Sequence, residues 1–157
     1  MLTYDVKTFH QMIEESASKY GDNILLIDEN KKWTYSEYRD HSVRSAKVLM
    51  RYTTEVKLGT RGHVAVMMDN RCEYLSLIGG SAYAGMTFFA LNPLLVGNDL
   101  AKTINNSSAG LLVVGQEYAQ AVLDIADQLK NIQTSNVIVV GSNGSKTKLK
   151  QLEKLMD

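Results

Sequence analysis

Three groups of residues have the types and spacing for chemistry. The first is the stretch Gly141-Ser142-Asn143-Gly144-Ser145-Lys146-Thr147-Lys148, which follows the apolar run Val137 to Val140. Glycines of this kind let backbone N–H groups wrap a phosphate, with a lysine directly after the last glycine to meet its charge. A Walker A loop needs G-x-x-x-x-G-K-[ST]; here Gly141 and Gly144 stand too close, and Ser145 separates Gly144 from Lys146. The dinucleotide fingerprint G-x-G-x-x-G is not met either. The spacing therefore predicts a polar turn between a strand and a surface helix, with Lys146 facing water.

The second group is the histidines, His10, His41 and His63. They fall on two predicted helices and at one strand entry, and none has a second donor at H-x-x-x-H or C-x-x-C spacing. The third is Cys72, one residue inside a predicted helix start, where a thiol pKa is lowered. Arg71 is its single basic neighbour, so a semi-buried structural cysteine is the expected role. These residues supply no metal site and no nucleophile.

The elements that must position any site follow from periodicity. Val6, Phe9, Met12, Ile13 and Ala17 recur at helical spacing over Val6 to Tyr20, with Gly21 as the stop. Residues 23–28 and 32–34 flank a polar turn and predict a hairpin. Thr34-Tyr35-Ser36-Glu37 is a capping box for a helix to about Tyr52 that presents Tyr38, Val43, Ala46, Leu49 and Met50 inward. Strands are predicted at 63–68, 86–91, 111–114 and 137–140, with helices between them. Asn70-Arg71-Cys72-Glu73 repeats the capping pattern, with Asn70 as cap, for a helix that ends at Gly85. Helices at about 99–106 and 117–130 complete the alternation.

Unalternating apolar strands separated by helices require a parallel sheet covered on both faces. The fold class is α/β: a mostly parallel sheet preceded by an N-terminal helix and a short hairpin, in one domain over residues 1–157. Gly79 and Gly80 stand inside a helix at a cost of roughly 1 kcal/mol each relative to alanine. Small side chains there admit a ligand or a second helix, but tight packing of this helix on its own sheet is the expected reason. Lys146, Lys148, Lys150 and Lys154 interleave with Leu149, Leu152 and Leu155 as a solvated surface helix.

Composition bounds the function class. The chain has 157 residues, 45% hydrophobic and 22% charged, as a folded globular domain does. Lys+Arg and Asp+Glu both number 17, so no net field argues for nucleic acid or an anionic membrane. No apolar run approaches the roughly 18 residues of a transmembrane segment. The polar N-terminal residues lack a signal-peptide core, and one cysteine fits a reducing compartment, so the expected location is cytoplasmic.

The order of local sequences says more. Trp33-Thr34-Tyr35-Ser36-Glu37-Tyr38, then Ala46 and Leu49, resembles the "T-Y-x-E-L … A-x-x-L" opening of the acyl-adenylate-forming (AMP-binding) enzymes, which include acyl-CoA synthetases and luciferases. Val64-Ala65-Val66-Met67-Met68 with Asn70 and Glu73-Tyr74 resembles "V-A-I-x-x-x-N-x-x-E-[FY]". Ala82 to Met86 resembles "A-x-x-x-G-A", and Ala90-Leu91-Asn92-Pro93 resembles "P-L-N-P". Asp99-Leu100, Ile104, Ser107 to Ala109 and Leu111 to Val113 resemble "E-L-x-x-x-L-x-x-S-x-A-x-x-L-[IV]". The series runs in order from Thr34 to Gly141. Two departures are Arg61-Gly62-His63, where the family has Gly-Asp before the strand, and Asp69, where it has proline.

The resemblance implies the N-terminal subdomain of a longer carboxylate–CoA ligase, leaning toward a fatty-acid or carnitine-type acid. ATP, Mg²⁺ and CoA are implied for the whole enzyme, none of them bound to this stretch. The family's phosphate loop, "[ST]-S-G-T-T-G-x-P-K", is absent, so no catalytic, cofactor-binding or metal residue is assigned and this chain alone is expected to be inactive. A small carboxylic acid is the implied partner, nucleic acid is not, and a homo-oligomer is left open. The rival reading is a naturally short, non-catalytic interaction or scaffold module. A weaker third is an independent nucleotide-binding protein.

Overall fold

A computed structural model describes residues 7–29, 31–55, 62–141 and 150–156. The first helix, α1 (Phe9–Tyr20), opens on a capping box in which the Thr8 hydroxyl and the Gln11 side chain exchange hydrogen bonds with each other's backbone N–H. It buries Ile13 and Ala17. Phe9 and Met12 are 45% and 52% exposed, because the apolar stripe of α1 is wider than the surface it meets.

The predicted hairpin forms, with β1 (Ile24–Ile27) antiparallel to β2 (Lys32–Thr34) and an irregularity between Ile24 and Leu26. The next helix, α2 (Tyr35–Glu55), starts on the predicted box: the Thr34 N–H donates to Glu37 at 2.7 Å, and the Glu37 N–H donates to the Thr34 hydroxyl at 3.2 Å. Tyr38, Ala46 and Leu49 are buried as expected, whereas Val43 is half-buried and Met50 is exposed. Ser42 and Ser45 take the inward positions, since the neighbouring helix comes too close there for longer side chains.

The remaining chain alternates β3 (His63–Met67), α3 (Cys72–Ala84), β4 (Thr87–Ala90), α4 (Gly97–Asn106), β5 (Leu111–Gly115), α5 (Ala119–Leu123), β6 (Val137–Val140), β7 (Lys150–Gln151) and α6 (Leu152–Met156). The strands form one parallel sheet in the order β4-β3-β5-β6-β7. The four predicted apolar runs are thus neighbours in one sheet, joined at its edge by the short β7.

Both faces of the sheet are buried, which is why its strands do not alternate in polarity. Ala65, Met67, Leu112, Val114, Val137 and Val139 pack on one side with Leu100, Ile104 and Val122. Val64, Val66, Leu111, Val113, Ile138 and Val140 pack on the other with Leu49, Leu77 and Leu152. A separate small cluster of Ile13, Trp33, Tyr38 and Cys72 joins α1 and the hairpin to α2 and α3. Helix α3 ends at Gly85, whose φ of 66° is the left-handed conformation that glycine adopts without strain.

The predicted helix over 117–130 is broken. A 3₁₀ turn (Gln116–Tyr118), the five-residue α5 and a second 3₁₀ turn (Ala126–Gln128) take its place. The Asn105 side chain donates to the Gln128 carbonyl and accepts from the Lys130 N–H, so helical bonding gives way there to a long-range contact. No helix among the described residues is long and apolar enough to cross a membrane.

Candidate functional site

In an open α/β sheet, ligands bind beyond the carboxyl ends of the strands where the strand order reverses. Here the chain goes from β3 to β4 on one side, then crosses back to β5 on the other side of β3. The reversal lies between β3 and β5. Their carboxyl ends lead into Met68-Asp69-Asn70-Arg71 and Gln116-Glu117-Tyr118, and that of β6 leads to Gly141.

The side chains at this point form two bridges between the loops. The Tyr118 hydroxyl donates to an Asp69 carboxylate oxygen at 2.6 Å, and Arg71 forms an ion pair with Glu117. The hydrogen bond to Asp69 is the main reason that the Tyr118 phenol is held above its ordinary pKa, with desolvation adding to it. Gly115 and Gly141 make room for the bridges. A Cβ on Gly115 would lie 2.7 Å from the Glu117 carboxyl carbon, and one on Gly141 would lie 3.1 Å from an Arg71 guanidinium nitrogen. The Gln116 amide oxygen beside them is buried without a hydrogen-bond partner. Asp69, Arg71, Gln116, Glu117 and Tyr118 went unassigned in the sequence; the signal was that each polar group follows directly on an apolar strand.

This arrangement ties the two loops together at the reversal. Among the described residues at the reversal, the Arg71 cation is paired with Glu117, so a phosphate arriving at Arg71 meets a compensated charge. Among the described residues, no three His, Cys, Asp or Glu side chains could hold a metal ion. The chemistry of the bridging residues is to fix the three strand ends relative to one another and to set how the chain leaves β6 at Gly141. The stretch 142–149, with Lys146, lies outside the described residues.

The other residues weighed in the sequence have local partners. His10 meets Thr8 and the ring of Tyr83, His41 stacks on Trp33, and His63 lies 2.7 Å from the Ser107 carbonyl through its Nδ1. Cys72 is buried and free, and burial pushes its thiol up to about 12, with the neighbouring Asp28 adding to the shift. Desolvation and the nearby carboxylate thus outweigh the helix start, and the thiol stays protonated.

The predicted Asn70 cap is not formed. Arg71 takes the cap position of α3 and no local side chain caps the helix. Instead the Asp28 carboxylate, 44 positions upstream, accepts from the Cys72 N–H at 3.1 Å. The role expected of Gly79 and Gly80 is corrected as well. An added Cβ on Gly79 would run into the Ser42 hydroxyl, and one on Gly80 would lie 2.6 Å from the Ser45 Cβ. The glycines admit α2, not the sheet.

Comparison with known proteins agrees with this architecture. The family described as "AMP-binding enzyme" matches residues 13–156. The chain is 29% identical over 129 residues to 4-hydroxybutyrate–CoA ligase 2 of Metallosphaera sedula, covering 81% of this chain and 22% of that ligase. It is 26% identical over 117 residues to a long-chain-fatty-acid–CoA ligase of Escherichia coli O6:H1, covering 74% and 20%. Among solved structures, an anthranilate CoA ligase in complex with anthranoyl-AMP superposes with a TM-score of 0.85 at 14% identity, over 98% of this chain and 28% of that one. The chain thus spans about a fifth of the length of these curated relatives.

Proposed function

This chain belongs to the AMP-binding enzyme family, and on that premise we propose that it is the N-terminal part of an ATP-dependent carboxylate–CoA ligase. In the proposed reaction a carboxylate oxygen of the acid attacks the α-phosphorus of ATP, and pyrophosphate leaves. The sulfur of CoA then attacks the acyl carbon, and AMP departs with the bonding pair. Adenylation serves this second step by turning a poor leaving oxygen into a phosphate. ATP and CoA are the co-substrates, and Mg²⁺ would offset the phosphate charge in the whole enzyme. The acid is of the fatty or carnitine type.

The observation that carries this reading is the family match over residues 13–156, on a sheet whose strand order and helices follow the solved ligases. Within the ligase, the described residues act as scaffold. The Asp69–Tyr118 and Arg71–Glu117 bridges hold the strand ends together. No residue of this chain is assigned a catalytic role. A free, buried Cys72 fits a reducing cytoplasm, where we place the enzyme.

The test is acid-dependent exchange of pyrophosphate into ATP. The purified 157-residue chain should show none above background, because positioning and charge stabilisation of the phosphates supply most of such catalysis. The longer chain read from the gene past Asp157 should show exchange with fatty or carnitine-type acids. Exchange by the 157-residue chain, or none by the longer one, refutes the reading.

A further inference from the structure

The outer side of the hairpin is unfinished. Among the described residues β1 has one strand neighbour, β2, and the pair forms a sheet of its own. Two-stranded hairpins are marginal alone, and an open edge pairs readily with another strand. The irregularity between Ile24 and Leu26 interrupts this edge, but among the described residues no charge or proline within β1 guards it. Ile24 is 54% exposed and Ile27 69%.

Beside this edge, α1 and the hairpin enclose an apolar cleft of about 270 Å³, lined by Phe9, Met12, Leu25, Leu26, Tyr35 and Leu75, among others. Phe9, Met12 and Leu75 are its exposed apolar side chains. An open edge and an adjoining apolar cleft suit one kind of occupant: an extended segment that adds a strand to β1 and inserts an apolar side chain into the cleft.

We infer that the occupant is an apolar, extended segment of the same ligase, supplied by the part that lies beyond this chain. The inference rests on the functional reading above. What favours this occupant over a second copy is length: the curated relatives continue for about four-fifths of their length outside the match, and the chain covers only 20–22% of them. A surface of this kind, covered by a covalently continuous segment, meets a partner at high effective concentration.

The test is hydrogen–deuterium exchange of the β1 amides, residues 24–27, in the longer chain read from the gene and in the 157-residue chain. We expect exchange to slow at least tenfold in the longer chain. Substitution Ile27→Asp should lower the melting temperature of the longer chain clearly and leave that of the 157-residue chain almost unchanged, since the side chain is exposed there.

Equal exchange of β1 in the two forms overturns the inference. So does protection in the 157-residue chain that grows with its concentration, which would make a second copy the occupant. A stop codon directly after Asp157 overturns the inference and the functional reading together. With an open frame the two separate: ligase activity with unprotected β1 defeats only the inference, and protected β1 without activity defeats only the functional reading.

Discussion

Helix α3 is held by α2 on one flank and by the β1–β2 hairpin at its start, and the two contacts are built by opposite means. Against α2 the contact is backbone to side chain at the limit of approach. Gly79 and Gly80 face Ser42 and Ser45, the Ser45 and Ser76 hydroxyls meet at 3.2 Å, and the Tyr38 hydroxyl donates to the Leu75 carbonyl. Against the hairpin the contact is polar and partly wet: Asp28 accepts from the Cys72 N–H, and Lys31 pairs with Glu73. The first contact excludes water and leaves no room for added volume. The second tolerates change, is screened by solvent, and sits beside aliphatic side chains that remain exposed.

The largest effect should come from filling the tight contact. A Cβ on Gly80 meets the Ser45 Cβ, the Ala46 backbone nitrogen and the Ser42 carbonyl at 2.6 to 3.1 Å, and two of these are backbone that cannot rotate away. Overpacking of a well-packed site costs about 1–3 kcal/mol or more. Gly80→Val should fall at the upper end, lowering the melting temperature by roughly 6–12 °C for a chain of this size. A loss below about 2 °C would mean that the helices separate easily and that the contrast between the two flanks is false.

At the hairpin contact the effect should be smaller. Asp28 accepts from the Lys31 N–H at 2.8 Å and from the Cys72 N–H at 3.1 Å, so Asp28→Ala removes a turn bond and the cap of α3 together. Loss of a capping side chain costs about 1 kcal/mol, or roughly 2–4 °C in melting temperature here. Calorimetry on Gly80→Val and Asp28→Ala side by side ranks the two contacts. An Asp28→Ala loss equal to that of Gly80→Val would show that α3 depends on its cap as much as on its packing.

The same contrast explains what was legible in the sequence. Local signals held: the Thr34–Glu37 box, the Gly85 stop and the four apolar runs are set by residues a few positions apart. Readings failed where a distant residue intervened. Asp28 displaced Asn70 as cap of α3, and Asn105 took backbone bonds that the helix over 117–130 needed. The target of Gly79 and Gly80 required knowing which helix lies against them. The bridges at the strand ends stayed invisible because Asp69 and Tyr118, or Arg71 and Glu117, become neighbours only once β3 and β5 pair.

The smallest effect concerns the aromatic stack of Trp33 and His41 between the hairpin and α2. The rings of Trp33 and His41 lie 3.9 Å apart and nearly parallel, at 4°. Burial lowers the His41 pKa most, followed by Arg44; Glu73 and Glu37 act in the opposite sense, and Lys31 lowers it slightly. The folded pKa is thus below the unfolded one, so the unfolded chain binds the proton more readily. The stack's contribution is fully present above the unfolded histidine value of about 6.5, and it is lost as pH falls through that value toward the folded one. Between about pH 7.5 and 5 the wild type should therefore lose stability, by less than Asp28→Ala costs. In His41→Phe, which keeps a stacked ring without a proton, this part of the pH dependence should vanish. Urea unfolding followed by circular dichroism at several pH values measures both slopes. Equal slopes would remove His41 as their source. A wild type that gains stability on acidification would show that attraction between imidazolium and the indole face outweighs burial, making the hairpin contact firmer than its exposure suggests.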